Sequence, residues 1–190
     1  SAWAGKSGRL APLTGNKKLI YAALFAALCC VITMYPKFPT LFGYIHAGDA
    51  LVLLAAYVLG PLCGSLAAAL GSSLADLMAG YVQYFPGTFV IKAVMALLAG
   101  GLLRRFGAGR PVVTSVLAGL AAECIMVLGY LGYEGALLGY GWAAAGSVPT
   151  NIVQGVFGAA ASSALFAALM KTPYARRELG LDFRHDKDKR

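Results

Sequence analysis

Six polar side chains stand out because the sequence around them is apolar: Asp49, Asp76, Lys92, Glu123, Asn151 and Gln154. Three carboxyl groups, one cation and two amides can bind a solute through charge and hydrogen bonds. Alternatively, Asp76 and Glu123 could serve as acid and base in an enzyme buried in a membrane. An ionisable group in hydrocarbon costs at least about 2.5–3.5 kcal/mol, so these residues are expected to face inward, toward one another or a ligand. Asn151 and Gln154 are three apart and share a helix face. The plainer reading of the set is internal ion pairing, with Asp76 joined to Lys92 across a short outer loop, and amides that hold helices together. Glu123 has no evident basic partner, which favours a ligand role. Three carboxyl groups against Lys92 would repel an anionic or phosphorylated solute in a low-dielectric site. A neutral or weakly basic ring with N–H or O–H donors fits better.

Aromatic residues crowd the same parts of the chain: Tyr35, Tyr44, Tyr81, Tyr84, Phe85, Tyr130, Tyr133, Tyr140 and Trp142. About half are expected to form an interfacial belt, and the rest to stack on a flat ring. The four cysteines, Cys29, Cys30, Cys63 and Cys124, lie inside apolar runs without CxxC spacing, so neither a disulfide framework nor a metal site is read from them. His46 and His185 are too far apart to suggest a metal pair. The sequence lacks the phosphate-binding GxxxxGK[ST] pattern of an ATPase and the HExxH and GxSxG patterns of hydrolases. A solute pocket without its own engine points to a partner that supplies one.

The elements that position these residues are membrane helices. Hydrophobic residues make up 59% and charged residues 13% of the 190, about half the charged fraction of a soluble domain. Six apolar segments are legible between turns marked by Gly, Pro and charge. They run over 18–34, 47–59, 62–79, 88–103, 111–133 and 148–170. The second is short of the roughly 20 residues a full span needs. A short or tilted helix is expected there, continued in the membrane by the Pro-rich stretch Tyr35–Pro39. Residues 1–17 read as a basic segment without a cleavable signal peptide, 18–170 as one membrane domain, and 171–190 as a charged, soluble tail. Fourteen of the sixteen Lys and Arg residues precede segment one, separate segments four and five, or follow segment six. That asymmetry puts both termini in the cytoplasm and the net charge of +8 down to topology rather than nucleic-acid binding. In this frame all six polar groups fall in the outer half; Glu123 lies roughly 18 Å from the inner end of its helix at 1.5 Å per residue. The inner half carries small residues at helical spacing, Ala22 with Ala26 and Ala23 with Ala27. Such spacing permits close packing within the protein or docking of another membrane protein.

Several stretches, in order and spacing, resemble the substrate-binding S components of energy-coupling factor (ECF) vitamin transporters. They are Gly43–Ala50 with Leu59–Gly64, Gly71–Leu77 leading to Gly80-Tyr81, Pro86–Lys92, Glu123–Tyr130 and Pro149–Gly155. The riboflavin-type and hydroxymethylpyrimidine/pyridoxine-type branch is nearest. The resemblance implies an all-α bundle of six transmembrane helices in a prokaryotic plasma membrane that captures a B vitamin or precursor. It implies work with a membrane coupling subunit and two ATPases, so that ATP is used by the partners and this chain needs no cofactor. It also implies a lid at about 35–48, tipping of the subunit in the membrane, and coupling-subunit docking through Ala22, Ala23, Ala26 and Ala27. The expected ligand-binding set is Tyr44, His46, Asp49, Asp76, Tyr84, Lys92, Glu123, Tyr130, Asn151 and Gln154. A ligand-free membrane scaffold is the remaining alternative to this transporter subunit and to the enzyme.

Overall fold

The computed structural model describes residues 15–39, 44–181 and 183. Its main elements are α1 (Gly15–Met34), α2 (Gly48–Leu59), α3 (Pro61–Met78), α4 (Phe85–Phe106), α5 (Pro111–Gly132) and α6 (Val148–Lys171). Helices α1, α3, α4, α5 and α6 are long and apolar enough to cross a membrane, and α2 is a shorter apolar helix. Between α1 and α2, strands β1 (Lys37–Pro39) and β2 (Tyr44–His46) pair antiparallel, with Lys37 opposite His46. The segment before α2 is therefore a hairpin and not an extension of the helix. Pro36 and Pro39 lack the N–H that a helix would use.

Helix α2 explains the bundle. Beyond Asp49 in the first turn, its sequence GDALVLLAAYVL is apolar on every side, and a helix without a polar stripe belongs in an interior. Every residue of α2 except Leu51 is buried, and the helix packs against α1, α3, α4 and α6. At 1.5 Å per residue it is about 18 Å long, well short of a bilayer core of about 30 Å. Its first turn, with Asp49, therefore lies at depth rather than at the surface of the bundle.

The prolines sit inside first turns rather than before them. Proline occupies one of the first two positions of α3, α4, α5 and α6, where its missing N–H has no helical acceptor anyway. Helix α4 consequently begins at Phe85, three residues before the sequence-based start, after a 3-10 turn at Val82–Tyr84. Beyond α5 the chain continues through a π turn (Tyr133–Leu137) and a 3-10 turn (Gly141–Ser147) into α6.

Helix α1 buries only Phe25, Cys29 and Thr33, spaced by four. It lies close on α3 because Gly71 has no side chain: a Cβ there would come within 2.2 Å of the Ala26 carbonyl oxygen. Ala22 and Ala26 pack against the core, while Ala23 and Ala27 are exposed beside Leu19, Ile20, Leu24, Leu28 and Val31. The small residues of α1 thus divide into an inward pair and an outward pair.

The segment after α6 is not simply a soluble tail. A short helix, α7 (Pro173–Glu178), turns back on the bundle. Leu181 is buried, and the Phe183 ring meets Phe166 edge-on at 5.8 Å. Lys17 Nζ lies 2.8 Å from Glu178 Oε1, which puts the start of α1 beside the segment that follows α6. The basic residues at 6, 9, 184, 187, 189 and 190 lie outside the described residues.

Candidate functional site

The end of the bundle opposite that ion pair gathers buried polar groups from α2, α4 and α6 beneath the hairpin. Asp49 opens α2, where the helix dipole favours a carboxylate. Lys92 on α4 forms a buried ion pair with Asp49 Oδ1. Gln154 Nε2 on α6 donates to Asp49 Oδ2 at 2.7 Å, so both carboxylate oxygens have partners. The other end of the same amide ties down the hairpin: Gln154 Oε1 accepts the His46 N–H at 3.1 Å. His46 Nδ1 in turn accepts the Gly48 N–H at 3.0 Å. Burial pulls the His46 imidazole down to about 4 against the opposing pull of Asp49, so the ring is neutral at physiological pH and Nδ1 can accept. A buried ion pair is sustained only when further hydrogen bonds complete it, and Gln154 supplies one here.

A second group borders the first. Thr88 on α4 donates to Asp76 Oδ2 on α3 at 2.5 Å, and its oxygen lies 2.9 Å from the Tyr130 hydroxyl. Thr88 has one hydroxyl proton, so Tyr130 is the donor in the second bond. The Tyr130 ring stands 5.4 Å from Lys92 Nζ, close enough for a cation–π contact that links the two groups. Tyr84 packs against Tyr81, Tyr130 and Tyr133 with ring centroids 6.2–6.4 Å apart. Its hydroxyl donates to Glu134 Oε1 at 3.2 Å, and Ser147 donates to Glu134 Oε2 at 2.6 Å.

Glu123 differs from these carboxyl groups. It is buried, 4% exposed, and neither oxygen has a hydrogen-bond partner among the described residues. The carboxyl lies over two glycines of α6. A Cβ at Gly158 would meet Glu123 Oε1 at 2.7 Å and Asp49 Cβ at 2.8 Å; one at Gly155 would meet Oε2 at 3.2 Å. Glu123 is thus a third side chain at the Asp49 end of α2, with acceptor capacity to spare.

The structure brings His46, Asp49, Lys92 and Gln154 together, with Asp76, Tyr84 and Tyr130 alongside and Glu123 against the α6 glycines. Lys92 pairs with Asp49 and not with Asp76, because the short α2 carries its first turn down to the level of Lys92. Asn151 is half-buried and has no side-chain hydrogen bond among the described residues. Tyr44 lies in β2, with its side chain outside the described residues. Of the expected aromatic belt, Tyr35 and Trp142 are exposed, at 66% and 96%; Tyr84 is buried. Sequence reasoning passed over Glu134 and Thr88. Glu134 lies in Tyr133–Leu137, whose apolar residues continue α5, and that setting is the signal that marks it as buried.

These features define a multi-pass membrane protein with a polar site enclosed by its helices. The chain belongs to the family described as ECF-type riboflavin transporter, S component, which matches residues 14–171. Members of this family are substrate-binding subunits of vitamin uptake, not enzymes. The chain is also 37% identical over 117 residues to a Pyrococcus woesei protein described as "Uncharacterized protein in gap 3'region", an alignment covering 61% of this chain and 75% of that one.

Proposed function

We propose that this chain captures a neutral, flat, hydroxyl-bearing vitamin, riboflavin first and pyridoxine or hydroxymethylpyrimidine as its nearest rivals, for an ATP-driven ECF transporter. The observation that carries this reading is the state of the buried cation. Lys92 is held by Asp49, while Glu123 keeps both oxygens unpartnered among the described residues. A phosphate or carboxylate ligand would meet acceptors and negative charge, whereas a ring with N–H and O–H groups could donate to them. Tyr84 and Tyr130 supply aromatic faces. The hairpin, tied through His46 to Gln154, is the lid over the site.

In the cell this chain would work with a membrane coupling subunit and two ATPases in a prokaryotic plasma membrane, with both termini inside. Lys17, Lys18 and Arg104 support that orientation. Lys17 meets Glu178, and Lys18 and Arg104 line one cavity with Leu179, so these basic residues share one end of the bundle. Docking would use the exposed Ala23 and Ala27.

Equilibrium titration of the purified protein with riboflavin, pyridoxine, hydroxymethylpyrimidine and flavin mononucleotide tests the reading. One neutral vitamin should bind, and the phosphate ester should bind about a hundredfold more weakly or worse, the equivalent of about 2.7 kcal/mol. Equal affinity for the ester would overturn the charge argument.

A further inference from the structure

The cavity shared by Lys18 and Arg104 lies at the end of the bundle opposite the polar site. It measures about 290 Å³, close to the lower bound of ligand pockets, about 300–1,000 Å³. Lys18 enters it from the start of α1, Gly60 and Pro61 from the turn between α2 and α3, Arg104 from the last turn of α4, and Gly180 from the segment after α7. Among the described residues no acidic side chain lines it, and neither cation makes a side-chain hydrogen bond or ion pair. Glu178, the described carboxylate at this end, is held by Lys17. The turn places the Arg104 guanidinium. Gly60 has φ +85°, and a Cβ there would meet Arg104 Nη2 at 2.5 Å, so the planar group lies against the chain between α2 and α3. The opposed half-charges of the α2 C-terminus and the α3 N-terminus meet at that turn and largely cancel. The two side chains therefore set the sign of the field in the cavity.

A phosphate group matches an arginine fork joined by a second cation. The helix surface beside the cavity indicates what carries the phosphate. Leu62 lines the cavity and is 73% exposed; Leu66, Leu70 and Leu74 follow it at intervals of four, 58, 48 and 43% exposed. Residues at that interval stand one above another, so an apolar stripe runs along α3 from the cavity into the membrane. We propose that the cavity binds the phosphate headgroup of an anionic phospholipid, with an acyl chain lying on the Leu62–Leu74 stripe. Basic pockets between membrane helices on the cytoplasmic side bind such headgroups. The inner leaflet follows from the orientation proposed above, whereas the site itself stands on the cavity.

Native mass spectrometry of the full chain from mixed micelles tests the proposal. Phosphatidylglycerol and phosphatidylcholine with matched acyl chains, supplied in equal amounts, compete for the protein. The first lipid bound should be phosphatidylglycerol by about tenfold or more, the scale of a hydrogen bond to a charged group. Arg104→Gln should cut that preference to about threefold, half of it on a free-energy scale, and Lys18→Gln with Arg104→Gln should bring it to parity. Arg105 is the control: it stands over the Phe106 ring at 5.3 Å and does not line the cavity, so Arg105→Gln should leave the preference unchanged. An equal fall in Arg105→Gln would make the preference diffuse surface charge and overturn the proposal. Parity in the unchanged protein, or a preference that survives the double variant, would overturn it as well. Displacement of bound phosphatidylglycerol by glycerol phosphate at the same concentration would assign the cavity to a soluble phosphate and refute the lipid as its source. The lipid ratio is read without any vitamin, so this proposal and the vitamin reading fail separately.

Discussion

Replacing Lys92 by methionine should be among the most destabilising single changes in the protein, and a second change should reverse most of the loss. Lys92 and Asp49 are 0% and 1% exposed. Without the ammonium group, Asp49 Oδ1 loses its cation, and Gln154 on Oδ2 remains as the neutral donor. Breaking a buried pair from one side costs about 3–5 kcal/mol, because the surviving charge is left uncompensated. Asp49→Asn in the same chain removes that charge and keeps an oxygen for Gln154 Nε2. The double variant should then lose about 1–2 kcal/mol, the scale of a neutral hydrogen bond or two. Reversible unfolding in mixed micelles measures each free energy, and the double-mutant cycle isolates the pair. The two single costs should add to far more than the cost of the double. Additive costs, or a Lys92→Met cost below about 1 kcal/mol, would refute the view that this ion pair organises the site.

Glu123→Gln should keep the fold and weaken vitamin binding by about ten- to a hundredfold, from loss of a charge-assisted hydrogen bond; Asn151→Ala should weaken it less, and calorimetry compares the two. Bulky replacements should separate the alanine pairs. Ala23→Leu with Ala27→Leu should impair uptake by the assembled transporter while binding by the isolated protein persists, whereas Ala22→Leu with Ala26→Leu should destabilise the seat of α1 on α3 by about 1–3 kcal/mol. The hairpin should respond to acid. The His46 value falls from about 6.5 in the open chain to about 4 in the closed one, so the open form binds more protons between these limits. The His46 contribution to closure is complete above about pH 6.5 and is lost toward pH 4, by at most about tenfold per pH unit. Amide exchange at 44–48 followed against pH should show this slope, and His46→Gln should flatten it.

The membrane helices were legible because apolar runs of bilayer length have few other meanings, and the rarity of charge singled out Asp49, Lys92 and Glu123. What the sequence concealed were facts of depth and pairing. Nothing local says that Asp49, rather than Asp76, meets Lys92; that follows from α2 being short and central. The hairpin was hidden because three-residue strands carry no periodicity. Alanine spacing on α1 showed that close packing was possible but not which face turns inward, which Gly71 on α3 decides. Glu134 was passed over because a segment rich in Tyr and Gly reads as loop, although its apolar residues extend α5. The C-terminal segment was read as soluble from its charge, yet Leu181 and Phe183 fasten it to the bundle.

The central claim, capture of a neutral heteroaromatic vitamin, is tested most directly by the solute the protein itself retains. Protein purified from a vitamin-replete host, denatured, and analysed by mass spectrometry should release one neutral B vitamin or precursor, riboflavin before pyridoxine or hydroxymethylpyrimidine, in near-stoichiometric amount. Release of a phosphorylated or otherwise anionic compound in that amount would contradict the account.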